Sequence, residues 1–117
     1  MSDGAAAHVE HHDSVGVVGL TGEVDIVQAQ DLRGVLLGAV RNEDLGLVVD
    51  LTNATFIDSV GVSLLFELAE RLAERQLRLA IVIPDAGLIE RVLTIVNLDS
   101  VAQIHRSVDA AVRALHG

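Results

Sequence analysis

The 117-residue chain contains no cysteine, lysine, tryptophan or tyrosine, and it has a single proline. The absence of cysteine excludes disulfides, thiol nucleophiles and cysteine-based zinc sites, so nothing marks an oxidising compartment. The absence of lysine excludes Schiff-base chemistry and the lysine of a phosphate-binding P-loop. No signal-peptide pattern and no apolar run of about 18 residues occur. We therefore expect a cytoplasmic protein that does not insert into a membrane.

The charged residues are strongly unbalanced. All eight basic residues are arginine, they face 17 acidic residues, and the net charge is −9. Because affinity for nucleic acids depends on clustered cations, we expect no nucleic-acid partner. Half of the residues are apolar but only Phe56 and Phe66 are aromatic, which predicts an aliphatic core. The length predicts a single domain over residues 1–117, with a flexible N-terminus at residues 1–7.

Hydrophobic patterning predicts an alternating α/β chain in the order β-β-α-β-α-β-α-β-α. The predicted elements are strands at 8–12 and 15–25, a helix at 26–41, a strand at 45–51, a helix at 59–75, a strand at 77–84, a helix at 85–96, a strand at 101–105 and a last helix capped by Ser107. This alternation implies a mostly parallel sheet with right-handed crossovers. If each strand lies beside the previous one, the helices fall chiefly on one face, whereas a reversed order gives a doubly wound sheet with a ligand crevice. The residues alone leave both orders open.

Three smaller sequence features also predict local structure. Asp50 ends a buried strand, as a phosphoacceptor aspartate does in receiver domains, but the lysine of such domains is missing, so we interpret it as a strand-end cap. Pro84 closes the next strand and predicts a turn. The apolar stripe of the helix at 85–96 is expected to comprise Leu88, Ile89, Val92, Ile95 and Val96.

The stretch "TFIDSVG" places Asp58 and Ser59 where a strand passes into a helix. The first amides of a helix lack intrahelical partners, and the helix dipole is positive there. Either residue can therefore be a simple N-cap, with Gly61 small because the helix packs closely on the sheet. The alternative is a phosphorylation site at Ser59, because free amides and the dipole both favour an anion.

A second apolar stripe runs along the same helix, about 100° from the stripe that faces the core. Its members are Val62, Phe66, Ala69 and Ala73. One interpretation is that this stripe packs under a neighbouring helix. The other is that it forms an exposed apolar patch beside Ser59, which is the usual mark of a protein-binding surface.

The motif Asp58-Ser59-x-Gly61, preceded by "VVDLTNATFI", resembles the STAS family, the bacterial anti-sigma factor antagonists. The segment "LTGEVDIVQAQDL" is similar to the "GELD" segment of that family, and "IPDAGLIERVLTIVNLD" to its third helix and "GLD" turn. The resemblance covers nearly the whole chain. It implies a (βα) superhelix, in which a mixed, mostly parallel sheet of four or five strands carries about four helices chiefly on one face.

The resemblance also implies a function. In phosphorylatable members, an anti-sigma factor that is a serine kinase binds the unmodified antagonist, phosphorylates it and then releases it. Ser59 is then the phosphorylation site, and the chain is a monomer or weak dimer without a cofactor. The expected partner-binding residues are Asp25, Asp58, Ser59, Val60, Gly61, Val62 and Phe66.

Two positions depart from the family pattern. Val60 stands where the family usually has serine or threonine, which leaves open a second function as a non-phosphorylated STAS subunit of a transporter-associated or stress-signalling assembly. Asn97 replaces the glycine of "GLD", a mild change because asparagine also tolerates the left-handed backbone conformation.

Metal and enzyme chemistry are both disfavoured by the pattern. A strand places His8 and His12 on one face and His11 on the other, with only Glu10 as a further nearby ligand, so we expect no metal site. A nucleophilic triad of Ser59, His105 and an aspartate is formally possible. No G-x-S-x-G motif surrounds the serine, however, and we expect no enzyme.

Overall fold

The computed structural model of the chain describes residues 6–83 and 87–117, so Pro84 and its predicted turn lie outside the described residues. Its strands form one five-stranded sheet in the order β1-β2-β3-β4-β5. They are β1 (Ala6–His12), β2 (Val15–Val24), β3 (Gly46–Ile57), β4 (Arg78–Val82) and β5 (Gln103–His105). Only the pairing of β1 with β2 is antiparallel. Strand order thus follows chain order, which confirms the superhelix over the doubly wound alternative.

The four helices cover both faces of this sheet unequally. They are α1 (Ala29–Gly38), α2 (Ser59–Glu74), α3 (Leu88–Ile95) and α4 (Val108–His116). The first three pack on one face over the main core, while α4 covers a smaller core on the other face. The buried hydrophobic residues of the described chain are all Val, Leu, Ile or Ala, which confirms the aliphatic core. Full burial of a Val, Leu or Ile side chain contributes about 1.5–3 kcal/mol.

Strand β3 is longer than its apolar run predicts. Residues 46–49 are buried, as expected of a central strand, but the strand continues with a largely exposed half to Ile57. That outer half pairs with β2 alone, because pairing with β4 ends where Asp50 meets Val82. The prediction of Asp50 as a strand-end cap is therefore wrong: it lies within β3, and its Oδ1 accepts a hydrogen bond from the Thr52 amide, 2.9 Å away.

The structure also corrects the predicted helix at 85–96. Within the described residues α3 begins at Leu88, and its one fully buried side chain is Leu93, which the predicted stripe omits. Leu88 and Ile95 are instead 63% and 74% exposed, whereas the other three members of the stripe pack against the main core as predicted: Ile89, Val92 and Val96. Apolar residues surround more than one face of this short helix, so contact with the sheet, and not periodicity, sets its rotation.

Two predicted helix ends are confirmed. Asn97, directly after α3, has φ 59° and ψ 40°, the left-handed conformation in which it can replace glycine. Ser107 is the N-cap of α4, and its hydroxyl accepts a hydrogen bond from the Ala110 amide at 3.1 Å. In the described part of the chain, no helix combines the length and apolar character required to cross a membrane.

Candidate functional site

The candidate site is the N-terminal end of α2, residues 58–61, which we call the α2 tip. It follows β3 directly and lies beside the end of β2, because the Asp58 amide donates to the carbonyl oxygen of Val24 at 3.2 Å. The turn from β2 to α1, residues 25–28, leaves the sheet at the same edge. Parallel strands therefore bring two separate stretches of sequence together here.

Asp58 is the N-cap of α2. Its Oδ1 accepts a hydrogen bond from the Gly61 amide at 2.8 Å, and its carbonyl oxygen accepts one from the Val62 amide at 2.9 Å. Its second carboxylate oxygen, Oδ2, accepts from the Ile26 amide of the neighbouring turn at 3.0 Å. One carboxylate thus closes the first turn of α2 and fixes the adjacent turn against it.

Ser59 is the first residue of α2 and is exposed. Because Asp58 does the capping, the Ser59 hydroxyl has no hydrogen-bond partner among the described residues, and the backbone amides of Ser59 and Val60 have no acceptor there. Free N–H groups at a helix N-terminus favour an added anion. The geometry therefore presents an accessible hydroxyl at a place where a phosphate can be accommodated without unfolding the helix.

Gly61 allows α2 to approach the sheet. A Cβ atom at this position would lie 2.5 Å from the carbonyl oxygen of Val24 and 2.8 Å from Cγ1 of Ile57. The interpretation that this glycine is small for packing is thus correct. Gly61 is buried and Val62 is only 8% exposed within the main core. Both residues support the α2 tip from beneath, and their contact with a partner stays a prediction.

The second apolar stripe of α2 is mostly covered. Val62 and Ala69 are buried, Phe66 is half-buried against the main core, and Ala73 is exposed. Of the two interpretations, packing inside the molecule is the correct one. Phe66 also lies seven residues from Ser59, about 10 Å along the helix axis. The structure therefore does not bring this predicted contact residue to the α2 tip.

Asp25 lies at the start of the neighbouring turn. Its Oδ1 accepts hydrogen bonds from the amides of Val27 and Gln28, at 3.1 and 3.2 Å. These bonds hold a turn that delays the start of α1 to Ala29, three residues later than predicted. Because the next residue, Ile26, is bonded to Asp58, the structure brings Asp25, Asp58 and Ser59 to one surface, as predicted.

Sequence reasoning missed two residues of this surface. Ile26 and Val27 are 66% and 76% exposed, although the patterning assigned them to a helix. We call this pair the apolar knob. The sequence did contain a sign of this exposure. At helical spacing, neither residue falls on the same face as the buried positions of α1, Leu32 and Leu36.

A groove of about 380 Å³ continues from the apolar knob between α1 and α2. Ile26 and Val60 lie at its end near Ser59. Arg33 and Glu67 lie about two turns further along their helices, and their side chains form an ion pair with a 2.6 Å separation. The groove is thus apolar beside the α2 tip and charged at its other end.

The histidines of β1 face opposite sides of the sheet, as predicted. His8 and His12 both contact the Glu10 carboxylate, at 3.2 and 3.1 Å. The pKa of Glu10 is lowered, chiefly by its hydrogen bond with His12. On the other face His11 contacts the buried carboxylate of Asp44, at 3.0 Å. Within residues 6–83 and 87–117, no three His, Asp or Glu side chains are arranged to hold a metal ion.

The geometry gives no support to a nucleophilic triad. No hydrogen bond joins Ser59 to His105 in the described chain, and the imidazole instead contacts the Gln103 side chain, with 2.9 Å between Nε2 and Oε1. A triad requires a base within reach of its nucleophile.

The family of the chain follows from its match to known sequences. The STAS domain model matches residues 6–111, which is most of the chain. The chain belongs to the STAS domain family. This confirms the resemblance carried by Asp58, Ser59 and Gly61.

The chain is also similar to individual anti-sigma factor antagonists. The anti-sigma-F factor antagonist RsfB of Mycobacterium tuberculosis is 29% identical over 72 residues, which are 62% of this chain and 59% of RsfB. The chain thus matches little more than half the length of that relative. The solved structure of an anti-sigma factor antagonist from Mycobacterium paratuberculosis is 28% identical in sequence and superposes with a TM-score of 0.87. The match covers 100% of this chain and 98% of that protein.

A more distant relative shares the fold. The anti-sigma factor antagonist SpoIIAA in its unphosphorylated form is 18% identical, with a TM-score of 0.70 over 96% of this chain and 99% of its own. Phosphorylated SpoIIAA of Bacillus is 20% identical, with a TM-score of 0.67 over 93% of this chain and 99% of its own. At this identity the likeness shows that the STAS domain of this chain has the same architecture.

Proposed function

We propose that this STAS domain is an anti-sigma factor antagonist whose binding is switched by phosphorylation of Ser59. The observation that carries the proposal is the exposed Ser59 hydroxyl, which is left without a hydrogen-bond partner in the described chain because Asp58 caps the helix. The similarity to anti-sigma factor antagonists supports it. In this role the protein acts in the cytoplasm, where it binds an anti-sigma factor and frees the sigma factor for transcription.

The phosphoryl transfer would use the partner's catalytic groups. The Ser59 oxygen forms the new bond to the γ-phosphorus of ATP bound by the anti-sigma factor kinase, the hydroxyl proton is lost, and ADP leaves. The STAS domain itself contributes position: α2 is held by its cap and by the close approach at Gly61. The proposal therefore assigns no catalysis to this chain.

The expected consequence is electrostatic. A phosphate adds about −1.5 to −2 charges at neutral pH. It would stand next to Asp58 and on the same surface as Asp25, in a chain whose net charge is already −9. A change of about 1–3 kcal/mol in the contact alters affinity roughly 5- to 150-fold, which is enough to exchange one partner for another.

Phosphorylation can be tested directly with purified components. The chain is incubated with ATP and each serine-kinase anti-sigma factor of the source genome, and the modified residue is identified by fragmentation mass spectrometry. We expect phosphate on Ser59 and no modification of the Ser59→Ala variant. Ser107 is the internal control, because it is also an exposed serine at a helix start but its hydroxyl is used as a cap. A chain left unmodified at Ser59 by every kinase would refute the switch.

Val60 favours a second candidate function. Without the hydroxyl usual at this position, the domain can serve as a constitutive binding subunit of a larger assembly, such as a transporter-associated or stress-signalling complex. Calorimetric titration of the same partner with Ser59→Ala and Ser59→Asp separates the two functions. The switch requires the aspartate variant to bind at least fivefold more weakly, whereas the constitutive subunit requires equal affinities.

A further inference from the structure

We infer that the apolar knob, Ile26 and Val27, is the principal anchor for the partner, and that it inserts into an apolar pocket with a cationic rim on the anti-sigma factor. The inference rests on the proposed function and adds to it a binding element, its partner chemistry and a positioning role for Asp58. It starts from the exposure of the two side chains, 66% and 76%, directly after a strand, β2, whose apolar side chains are all buried.

The knob is exposed but held in place. Three hydrogen bonds to side-chain carboxylates fix its turn: the amide of Ile26 donates to Asp58, and those of Val27 and Gln28 donate to Asp25. A fourth bond joins the Gln28 amide to the Asp25 carbonyl oxygen at 3.1 Å. A preorganised apolar element loses little conformational entropy on binding, which is a property of strong interface anchors.

The knob is also continuous with the proposed phosphorylation site. Asp58 Oδ2 accepts a hydrogen bond from the backbone amide of Ile26 in the knob, and Asp58 directly precedes Ser59 in the chain. Ile26 and Val60 lie together at the end of the α1–α2 groove. A partner seated on the knob would therefore cover the Ser59 hydroxyl in the same contact, and Asp58 is the residue that keeps the two at a fixed separation.

The surrounding charge identifies the rim of the partner's pocket. Asp25 and Asp58 lie at the base of the knob, and Glu23 is exposed at the end of β2. The cation that lines the nearby groove, Arg33, is already paired with Glu67. An apolar centre with an acidic margin fits a pocket whose margin carries arginine or lysine. A phosphate at Ser59 would lie under the seated partner, so the cost of desolvating its charge and of fitting its three oxygens into the contact must exceed the attraction of the cationic rim for the partner to be released.

Matched substitutions test the inference. Ile26→Ser with Val27→Ser removes the knob, and Leu88→Ser with Ile95→Ser removes two side chains of similar exposure on α3, at 63% and 74%. Affinity for the purified anti-sigma factor kinase is measured by calorimetry at low and high salt. We expect at least a tenfold loss, about 1.4 kcal/mol, for the knob variant and less than a twofold change for the α3 variant. Wild-type affinity should fall as salt is added.

The possible failures are distinguishable. If wild type binds and Ser59→Asp is released, but both double variants bind equally well, the knob is not the anchor although the switch stands. If wild type binds no anti-sigma factor, the proposed function fails, and the inference with it. If sedimentation shows that wild type dimerises and that only the knob variant is monomeric, the occupant is a second copy and the inference is wrong. Circular dichroism and urea unfolding establish that both variants are folded.

Asp58→Asn isolates the positioning role. The amide side chain can still accept from Gly61 through one oxygen, but it cannot also accept from the Ile26 amide through its nitrogen. We expect weaker binding with a largely retained helix, and slower phosphorylation of Ser59 at saturating kinase. A normal phosphorylation rate in this variant would show that Asp58 does not align the knob with the acceptor.

Discussion

Helices α2 and α4 both begin with an N-cap side chain that accepts a backbone hydrogen bond, but the serine at α4 is the cap and the serine at α2 is not. At the β3–α2 junction the N-cap is Asp58, which accepts from the Gly61 amide at 2.8 Å. At the β5–α4 junction the N-cap is Ser107, which accepts from the Ala110 amide at 3.1 Å. Both caps have extended backbone conformations, and both junctions carry an exposed serine.

The difference shows what a modifiable serine requires. Ser107 uses its hydroxyl oxygen to satisfy a backbone N–H, so a group attached there competes with the cap. At α2 the capping is done by the preceding aspartate, and the serine is displaced by one residue into the first turn. The second oxygen of Asp58 also binds the Ile26 amide, so the α2 junction is tied to a neighbouring turn as well. Because Asp58 supplies the cap, we expect folding not to require the Ser59 hydroxyl. The following substitutions test this expectation.

The largest effect is expected for Gly61→Ala. The added Cβ would lie 2.5 Å from the carbonyl oxygen of Val24, a backbone atom that cannot move independently of β2. We expect a loss of about 3 kcal/mol in the free energy of unfolding, measured by urea denaturation. Gly34→Ala in α1 is the control, because nothing lies within 4 Å of its added Cβ. It should stabilise the protein by about 0.5–1 kcal/mol, and equal losses in both variants would contradict close packing at the α2 tip.

Asp58→Ala should have the next largest effect. It removes the cap of α2 and leaves the Ile26 amide without its acceptor. Loss of a cap costs about 0.5–2 kcal/mol, and loss of a charge-assisted hydrogen bond adds to it, so we expect about 2 kcal/mol. Urea unfolding measures the loss, and faster hydrogen exchange at Ile26 and Gly61 locates it. Unchanged exchange at Ile26 would show that the tie between the two turns is unimportant.

Sequence reasoning recovered the order of the elements because aliphatic periodicity and the alternation of strands and helices are local properties. It also placed Ser59 at the start of α2. It could not choose between Asp58 and Ser59 as the cap, because both side chains suit that position. In the structure Asp58 is the cap, and its second carboxylate oxygen accepts from the amide of Ile26, 32 residues earlier in the chain.

Other placements that the sequence left open or missed also depend on packing. Val62 and Phe66 are apolar at spacings that suit either a core or a surface, and only the packing of α2 on the sheet decides between them. The rotation of α3, which buries Leu93 and exposes Ile95, is likewise set by its neighbours. The apolar knob was missed because the turn held by the Asp25 carboxylate delays the start of α1.

Ser107→Ala should have a smaller effect than Asp58→Ala. It removes one hydroxyl cap from a nine-residue helix, and no second element is tied through that side chain in the described structure. We expect a loss of about 1 kcal/mol by urea denaturation. Ser107→Asp serves as the control, since aspartate is an equally good cap and should restore stability. A loss as large as that of Asp58→Ala would remove the distinction between the two junctions.

The smallest effect is expected for Ser59→Ala, and it is the most informative. The Ser59 side chain is exposed and makes no hydrogen bond in the described residues, so its removal should change the free energy of unfolding by less than about 0.5 kcal/mol. The same change at Ser107 removes an atom that the fold uses. If Ser59→Ala proved as costly as Ser107→Ala, the hydroxyl would be part of the cap, and phosphorylation would have to break structure to act. A negligible cost leaves the hydroxyl free for a partner, because the helix does not need it.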